Sequence, residues 1–404
     1  MNRRYLVAAT IATIVSAMTP SSAQAESWCA YPLWIHEWGV QVFATDGSPV
    51  VAPKLPSYFH RPGKTAAPTR PTAVRDLPVD SGIRALPVLH FYSAGSMSSP
   101  IPVGVEVGFT NGAASVWYPA VDRLRSATDA NGPSAADGRR RLLTLRKNQN
   151  DLGIRAVRSE DVPVDPTRQL VWDRIELTPE PAHTPMRTQV PWVADLRGFK
   201  ALWANTKGES ERFVFYEADT TEGTALRIVR GDTFGPNRRH YLLENKSPHN
   251  VFDVFFVHRD GARLYVFFAP QIPAGKSAGF LVEDHAIKDE AKETTTKLRE
   301  LLVDPTSPEM PKAVHWSAGE CVMGRDPAIP TEEAVSHRLF KSEVDAILHV
   351  WGDRFFKQQG TTVLYREDTK ALDALMPLSL YTDMYNHIVL HRAGLALWEK
   401  VALP

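Results

Sequence analysis

Along much of the chain, apolar residues alternate with polar or small ones at a period of two, the mark of half-buried strands. Leu33-Trp-Ile-His-Glu-Trp-Gly-Val-Gln-Val-Phe43 is the first such run, and Pro87–Tyr92 reads as the next strand. Val103, Val105, Val107 and Phe109 then alternate with Gly104, Glu106 and Gly108, and Asn111-Gly112 closes the run just before Val116-Trp-Tyr118. Asn-Gly tolerates positive φ at both turn positions, so the pattern predicts a two-residue hairpin. Its register would set Val107 opposite Val116 and Glu106 opposite Trp117. Strand-like runs then succeed one another: Leu170–Leu177, Phe213–Glu217, Thr224–Val229, His240–Leu243, Val251–Val257, Leu264–Phe268 and Gly279–Val282. Asp260-Gly261 predicts a second tight hairpin. Val251–Val257 is almost continuously apolar, which predicts a strand covered on both faces.

After Glu283 the period lengthens. His285–Leu302 reads as a helix with Lys/Glu-rich sides. Lys341–Gln358 reads as an amphipathic helix with Val344, Ile347, Leu348, Trp351 and Phe355 on one face, stopped by Gly360. Val363–Tyr365, Met376–Leu380 and His387–Leu390 are short strands. Many short strands with no helix between them point to a sandwich. The expected fold class is mainly β with an α+β C-terminal part: an immunoglobulin-like β-sandwich architecture plus a helical C-terminal lobe. The expected division is a signal peptide (1–25), an N-terminal β-rich domain with a Pro-rich loop (26–165), a β-sandwich domain (166–284) and a helical C-terminal lobe with short strands (285–404).

Charge narrows the partners. Among 404 residues, 46 Lys and Arg balance 46 Asp and Glu, so no global basic field exists to hold phosphate, and no nucleic-acid partner is expected. Arg3 and Arg4, the apolar stretch Leu6–Met18 and Ala23-Gln24-Ala25 have the layout of a cleavable export signal. That stretch is shorter than the ~20 residues a membrane helix needs, and no later run is longer, so no transmembrane segment is expected. The implied location is secreted or periplasmic. Cys29 and Cys321 are the only cysteines, and in an oxidising compartment they read as one disulfide.

The standard chemical signatures fail: no P-loop, dinucleotide glycine motif, G-x-S-x-G, C-x-x-C or H-E-x-x-H occurs. His36-Glu37 invites a metal reading. In a regular strand, however, His36 shares a face with Trp34, Trp38, Val40 and Val42, while Glu37 lies with Ile35, Gly39 and Gln41. Only a bulge, which Gly39 would permit, aims both at one ion. His90 lies between Val88 and Tyr92. On an adjacent strand it would form a two-His site with His36 that binds a transition metal, with Glu37 or Glu106 as the carboxylate. The competing reading is a hydrogen-bonded, buried His36 among tryptophans.

His36-Glu-Trp-Gly39, Leu86-Pro-Val-Leu-His-Phe-Tyr92, Ser115-Val-Trp-Tyr-Pro119, Arg212-Phe-Val-Phe-Tyr216 and Trp351 followed by Gly360-Thr-Thr-Val-Leu-Tyr365 occur in this order. Together they resemble a set of uncharacterised secreted bacterial proteins that open with a His-Glu-Trp-Gly segment. The resemblance implies a secreted, β-rich protein and brings no established activity. Two function classes stay open. One is a binding or envelope-associated role, with an envelope or polymer ligand. The other is a periplasmic metal-dependent enzyme, a hydrolase or oxidase, working through His36, His90 and Glu37 or Glu106.

Overall fold

The computed structural model describes residues 33–45, 55–61, 82–93, 99–110, 113–125, 169–220, 223–231, 238–283, 291–309, 316–317, 320–321, 337–382 and 388–404. The export signal, Cys29 and the Asn111-Gly112 turn lie outside them. The architecture is mainly β, with several sheets and four helices among the described residues.

In chain order the elements begin β1 (Leu33–Phe43), β2 (Gly82–Ser93), β3 (Ile101–Gly108), β4 (Ala113–Tyr118), β5 (Arg123–Arg125), β6 (Gln169–Thr178), α1 (Pro191–Arg197), β7 (Trp203–Thr206) and β8 (Glu209–Glu211). There follow β9 (Val214–Thr220), β10 (Leu226–Arg230), β11 (Arg238–Asn245), β12 (Val251–Asp260), β13 (Arg263–Ile272), β14 (Ser277–Glu283) and α2 (Ala291–Leu302). The chain ends with β15 (Trp316–Ser317), β16 (Glu320–Cys321), α3 (Lys341–Phe356), β17 (Gly360–Glu367), α4 (Thr369–Leu375), β18 (Leu378–Thr382) and β19 (Ile388–Trp398).

An eight-stranded sheet in the order β13-β12-β17-β19-β1-β2-β9-β4 forms the middle of the molecule. β1 pairs antiparallel with β2 on one side and parallel with β19 on the other. Its even-numbered residues Trp38, Val40 and Val42 pack beneath the helices, against Val193 and Leu196 of α1, Leu298 and Leu302 of α2, and Val344, Ile347, Trp351 and Phe355 of α3. The opposite face carries two smaller sheets side by side. Leu33 and Ile35 of β1, with Leu89 and Phe91 of β2, pack on the sheet β18-β3-β6-β7-β8 through Val103, Val105, Val107 and Trp172. Phe43, at the other end of β1, packs with Phe256, Val363 and Tyr365 on the three-stranded sheet β10-β11-β14. Between Ile35 and Phe43, therefore, β1 passes from under one covering sheet to under the other. The odd-numbered residues in that gap are Glu37, Gly39 and Gln41.

Several local expectations hold for the reasons given. α3 buries the apolar face read from its periodicity. β12 and β13 form a hairpin whose last pair is Asp260 with Arg263, and Gly261 adopts φ 57° in the turn. β12 is buried from Val251 to Val257. β7 and β8 form a further hairpin through Lys207 and Gly208, both at positive φ.

The β3–β4 hairpin is a correction. β3 is flanked by β18 and β6, and β4 pairs with β9 in the central sheet. Both strands are buried at nearly every position, so each gains more from being covered on two faces and paired with long-range neighbours than from a local turn. At the end of β3 the chain is tied away from β4, because Gly108 N–H donates to Pro377 O and Thr110 N–H to Leu375 O.

The domain division is also crossed. The strands of 166–284 are shared among three sheets, and the central sheet takes β1, β2 and β4 from the first segment, β9, β12 and β13 from the second, and β17 and β19 from the third. A fragment ending at residue 284 would leave β1 and β12 each without a partner on one edge. Such a fragment is expected to show no cooperative urea transition and no near-ultraviolet circular dichroism, whereas the full chain shows both. A folded fragment would refute the shared-sheet architecture.

Candidate functional site

The register of β1 decides what converges. His36 stands directly opposite His90 of β2 and beside His391 of β19, so three histidines form a row across three neighbouring strands on the helical face. The His36 and His391 rings stack with centroids 4.8 Å apart and planes 8° apart. α3 supplies the carboxylate. Glu343 stands in the first turn of this helix, where Phe340 N–H donates to its Oε2 at 2.9 Å. The same oxygen accepts from His36 Nδ1 at 2.6 Å, and Oε1 lies 3.6 Å from His90 Nδ1. His391 Nδ1 donates to the Arg338 carbonyl. His36, His90 and Glu343 are completely buried.

Burial sets the titration of this cluster. His90 is pushed down to about 4, by desolvation first; the Glu343 charge opposes that shift and His36 adds to it. His391 is pushed down to about 3 by desolvation, with His36 adding and the bond to Arg338 opposing. For Glu343, burial resists ionisation, but the charge of and bond from His36, the charge of His90 and the Phe340 amide outweigh it and hold the carboxyl below its usual range. Tyr92 is raised well above the usual phenol value by burial and then by the Glu343 charge.

Of the four candidate site residues, this geometry brings His36 and His90 together and sets Glu37 and Glu106 apart from them. Glu37 points to the other face of the sheet, as alternation requires. The register shift in the β1–β2 pairing falls after Trp38, beyond His36 and Glu37. Glu106 lies on β3 in a different sheet, alternating with Val105 and Val107, which face β1. His36 Nδ1 is committed to Glu343, and its ring lies flat on His391. Among the described residues, no three His, Cys, Asp or Glu side chains converge in a way that could hold a metal ion. The Cys29–Cys321 pairing falls outside the described residues.

Glu37 belongs instead to a second network on the sheet-covered face. The fully buried Arg392 of β19, its cross-strand partner, donates to both of its oxygens through Nε and one terminal nitrogen, and Tyr216 donates its hydroxyl. Arg392 also bonds Asp373 of α4 and, at 3.0 Å, the Met376 carbonyl. Burial works against the guanidinium charge, yet Glu37 and Asp373 raise Arg392 above its usual value. Asp373 is raised by burial and by the neighbouring Glu37 and Asp368, against the pull of Arg392.

Beside this network the two covering sheets fail to meet, and a cleft of about 450 Å³ opens. Gln41 of β1, Thr110, Thr224, the loop from Lys246 to Asn250, Glu367-Asp368 and the outer face of α4 line it. Gln41 also lines a small hollow over Glu37, Gly39 and Gly394. Gly394 keeps this space open: a Cβ there would stand 2.6 Å from the end of the Leu372 side chain and 2.9 Å from Glu367 Oε2, so both would have to move. Sequence reasoning placed His36, Glu37, Gln41 and His90 on the right faces and missed Glu343, His391, Arg392 and the cleft. For Glu343 a signal existed: an acid one turn before Ile347, within the apolar face of a helix, calls for a buried partner.

No family model matches the chain, and no curated protein matches it.

The buried cluster makes stability depend on pH with a definite sign. His90 and His391 take up protons in the unfolded chain near pH 6.5 but in the folded one only near 4 and 3, so their contribution is complete above 6.5 and falls as the pH drops toward those values. Glu343, lowered in the fold, loses its contribution in the same direction. Urea unfolding at pH 7, 5.5 and 4 is expected to show a loss on the order of 3 kcal/mol attributable to His90, and His90→Gln should flatten that slope. Equal slopes in the variant and the parent would contradict the assignment. Glu343→Leu leaves His36 buried without its carboxylate and should cost about 3–5 kcal/mol at pH 7.

Proposed function

We propose that this is an exported binding protein, secreted or periplasmic, which holds a small polar ligand in the cleft between its two covering sheets and serves an envelope-associated role. The observation that carries this reading is the cleft itself: an open space of about 450 Å³, within the range of small-molecule sites and lined by polar and apolar groups together, beside the buried Arg392–Glu37 pair. The chemically capable histidines favour the same reading, because they are sealed under the helices where no substrate reaches them. On this reading the sheet-on-sheet half is the immunoglobulin-like sandwich component, presenting its ligand from connecting loops as binding sandwiches do. No Phe, Tyr or Trp lines the cleft, and Trp38, Trp172, Trp192 and Trp351 are buried in cores, so the ligand is held mainly by hydrogen bonds and charge.

Thermal unfolding of the mature chain against a set of sugars, amino acids, polyamines and small organic acids tests this. A ligand at about 100 times its dissociation constant adds about 2.7 kcal/mol, a shift of a few degrees. Ala371→Trp places an indole in the cleft from the outer face of α4 and is expected to abolish that shift. Stabilisation that persists unchanged in this variant, or no stabilisation by any member of the set, would overturn the reading.

A further inference from the structure

The polar groups lining the cleft divide into two kinds. Most are already used by the fold. Thr110 donates to Ala374 O, Thr224 both donates to Leu226 O and accepts from Leu226 N–H, Ser247 accepts from His249 N–H, Asn250 accepts from Ala274 N–H, and Asp368 caps α4 by accepting from Lys370 N–H. Glu367 is also engaged. Others are not. Gln41 is 3 % exposed, yet its Nε2 is buried without a hydrogen-bond partner among the described residues. Lys246 stands exposed on the rim with no ion pair among the described residues.

A buried amide left unpaired is costly, and a fold tolerates it where something else supplies the missing atom. The carboxamide of Gln41 lies where hollow and cleft join, and a half-turn about its last torsion exchanges its nitrogen and oxygen. An amide, an ammonium and an imidazole thus remain available on a lining that also carries the carboxylates of Glu367 and Asp368. The amide and the ammonium both offer donors, and the ammonium is cationic.

We infer that the cleft selects a small carboxylate: one carboxylate oxygen accepts from Gln41 at the floor, and Lys246 at the mouth supplies the opposing charge. Gln41 is then the specificity-determining residue, since a neutral amide in the same place offers a weaker acceptor and leaves Lys246 without a counter-charge. This inference rests on the cleft being the binding site.

Calorimetric titration of the mature chain with lactate, lactamide, glutarate and glutaramide decides it. At least one acid is expected to bind and its amide to bind at least tenfold more weakly. Gln41→Leu removes only the unpaired amide, so its unfolding temperature should match or exceed the parent's, while its affinity for the acid falls about tenfold or more. Lys246→Met should weaken the acid by a similar factor and reduce the salt dependence of binding. Amides that bind as tightly as the acids, a Gln41→Leu variant with undiminished affinity, or silence from all four compounds would each overturn the carboxylate assignment. A sugar or polyamine that stabilises the parent and not Ala371→Trp would sink this inference and leave the cleft standing as the binding site.

Discussion

Two neighbouring residues, His36 and Glu37, fix how the whole molecule is assembled. They stand on opposite faces of the strand at the centre of the main sheet, and each is bound to a group from the far end of the chain: His36 to Glu343 on a helix, Glu37 to Arg392 on the last strand. A strand with two buried faces gains nothing from an apolar pattern alone in choosing its register, because either face would accept it. The buried pairs make the choice. Were β1 to slip by one residue, Glu37 would turn toward Glu343, setting two carboxylates together, and Arg392 would lose the carboxylate that pairs with it. Specific pairing of this kind adds little to net stability, since desolvation offsets most of the attraction, but it separates the correct arrangement from its nearest competitor.

From that strand outward, packing follows. The helices cover one face because α1, α2 and α3 each present a single apolar stripe to it. Two separate sheets cover the other face, one over Leu33 and Ile35 and the other over Phe43. Their failure to meet in the middle leaves Glu37, Gly39 and Gln41 in a seam, where the polar network and the cleft both form. Site and architecture therefore have one cause.

Local structure was legible wherever it depends on a residue's immediate neighbours. The alternation in Leu33–Phe43 correctly separated His36 from Glu37, the spacing of Val344, Ile347, Trp351 and Phe355 marked the buried face of α3, and Asp260-Gly261 marked its hairpin. What was not legible depends on which strands find each other. Asn111-Gly112 has the chemistry of a tight turn, but the burial of β3 and β4 on both faces sends them into different sheets. The run His387–Leu390 looked like a short terminal strand, whereas β19 continues to Trp398 because it lies between β1 and β17. His391 and Arg392 were therefore overlooked along with the strand that carries them. Glu343 was passed over because an acid in the first turn of a helix is ordinarily explained by the helix dipole, and here it serves that end and His36 together.

The parallel pairing of β1 with β19 has a consequence for biosynthesis. β1 leaves the ribosome long before β19 does. Until β19 is made, β1 carries an open hydrogen-bonding edge, and parallel pairing over such a separation is slow to form. A product truncated before β19 keeps that edge open, as a template for self-association.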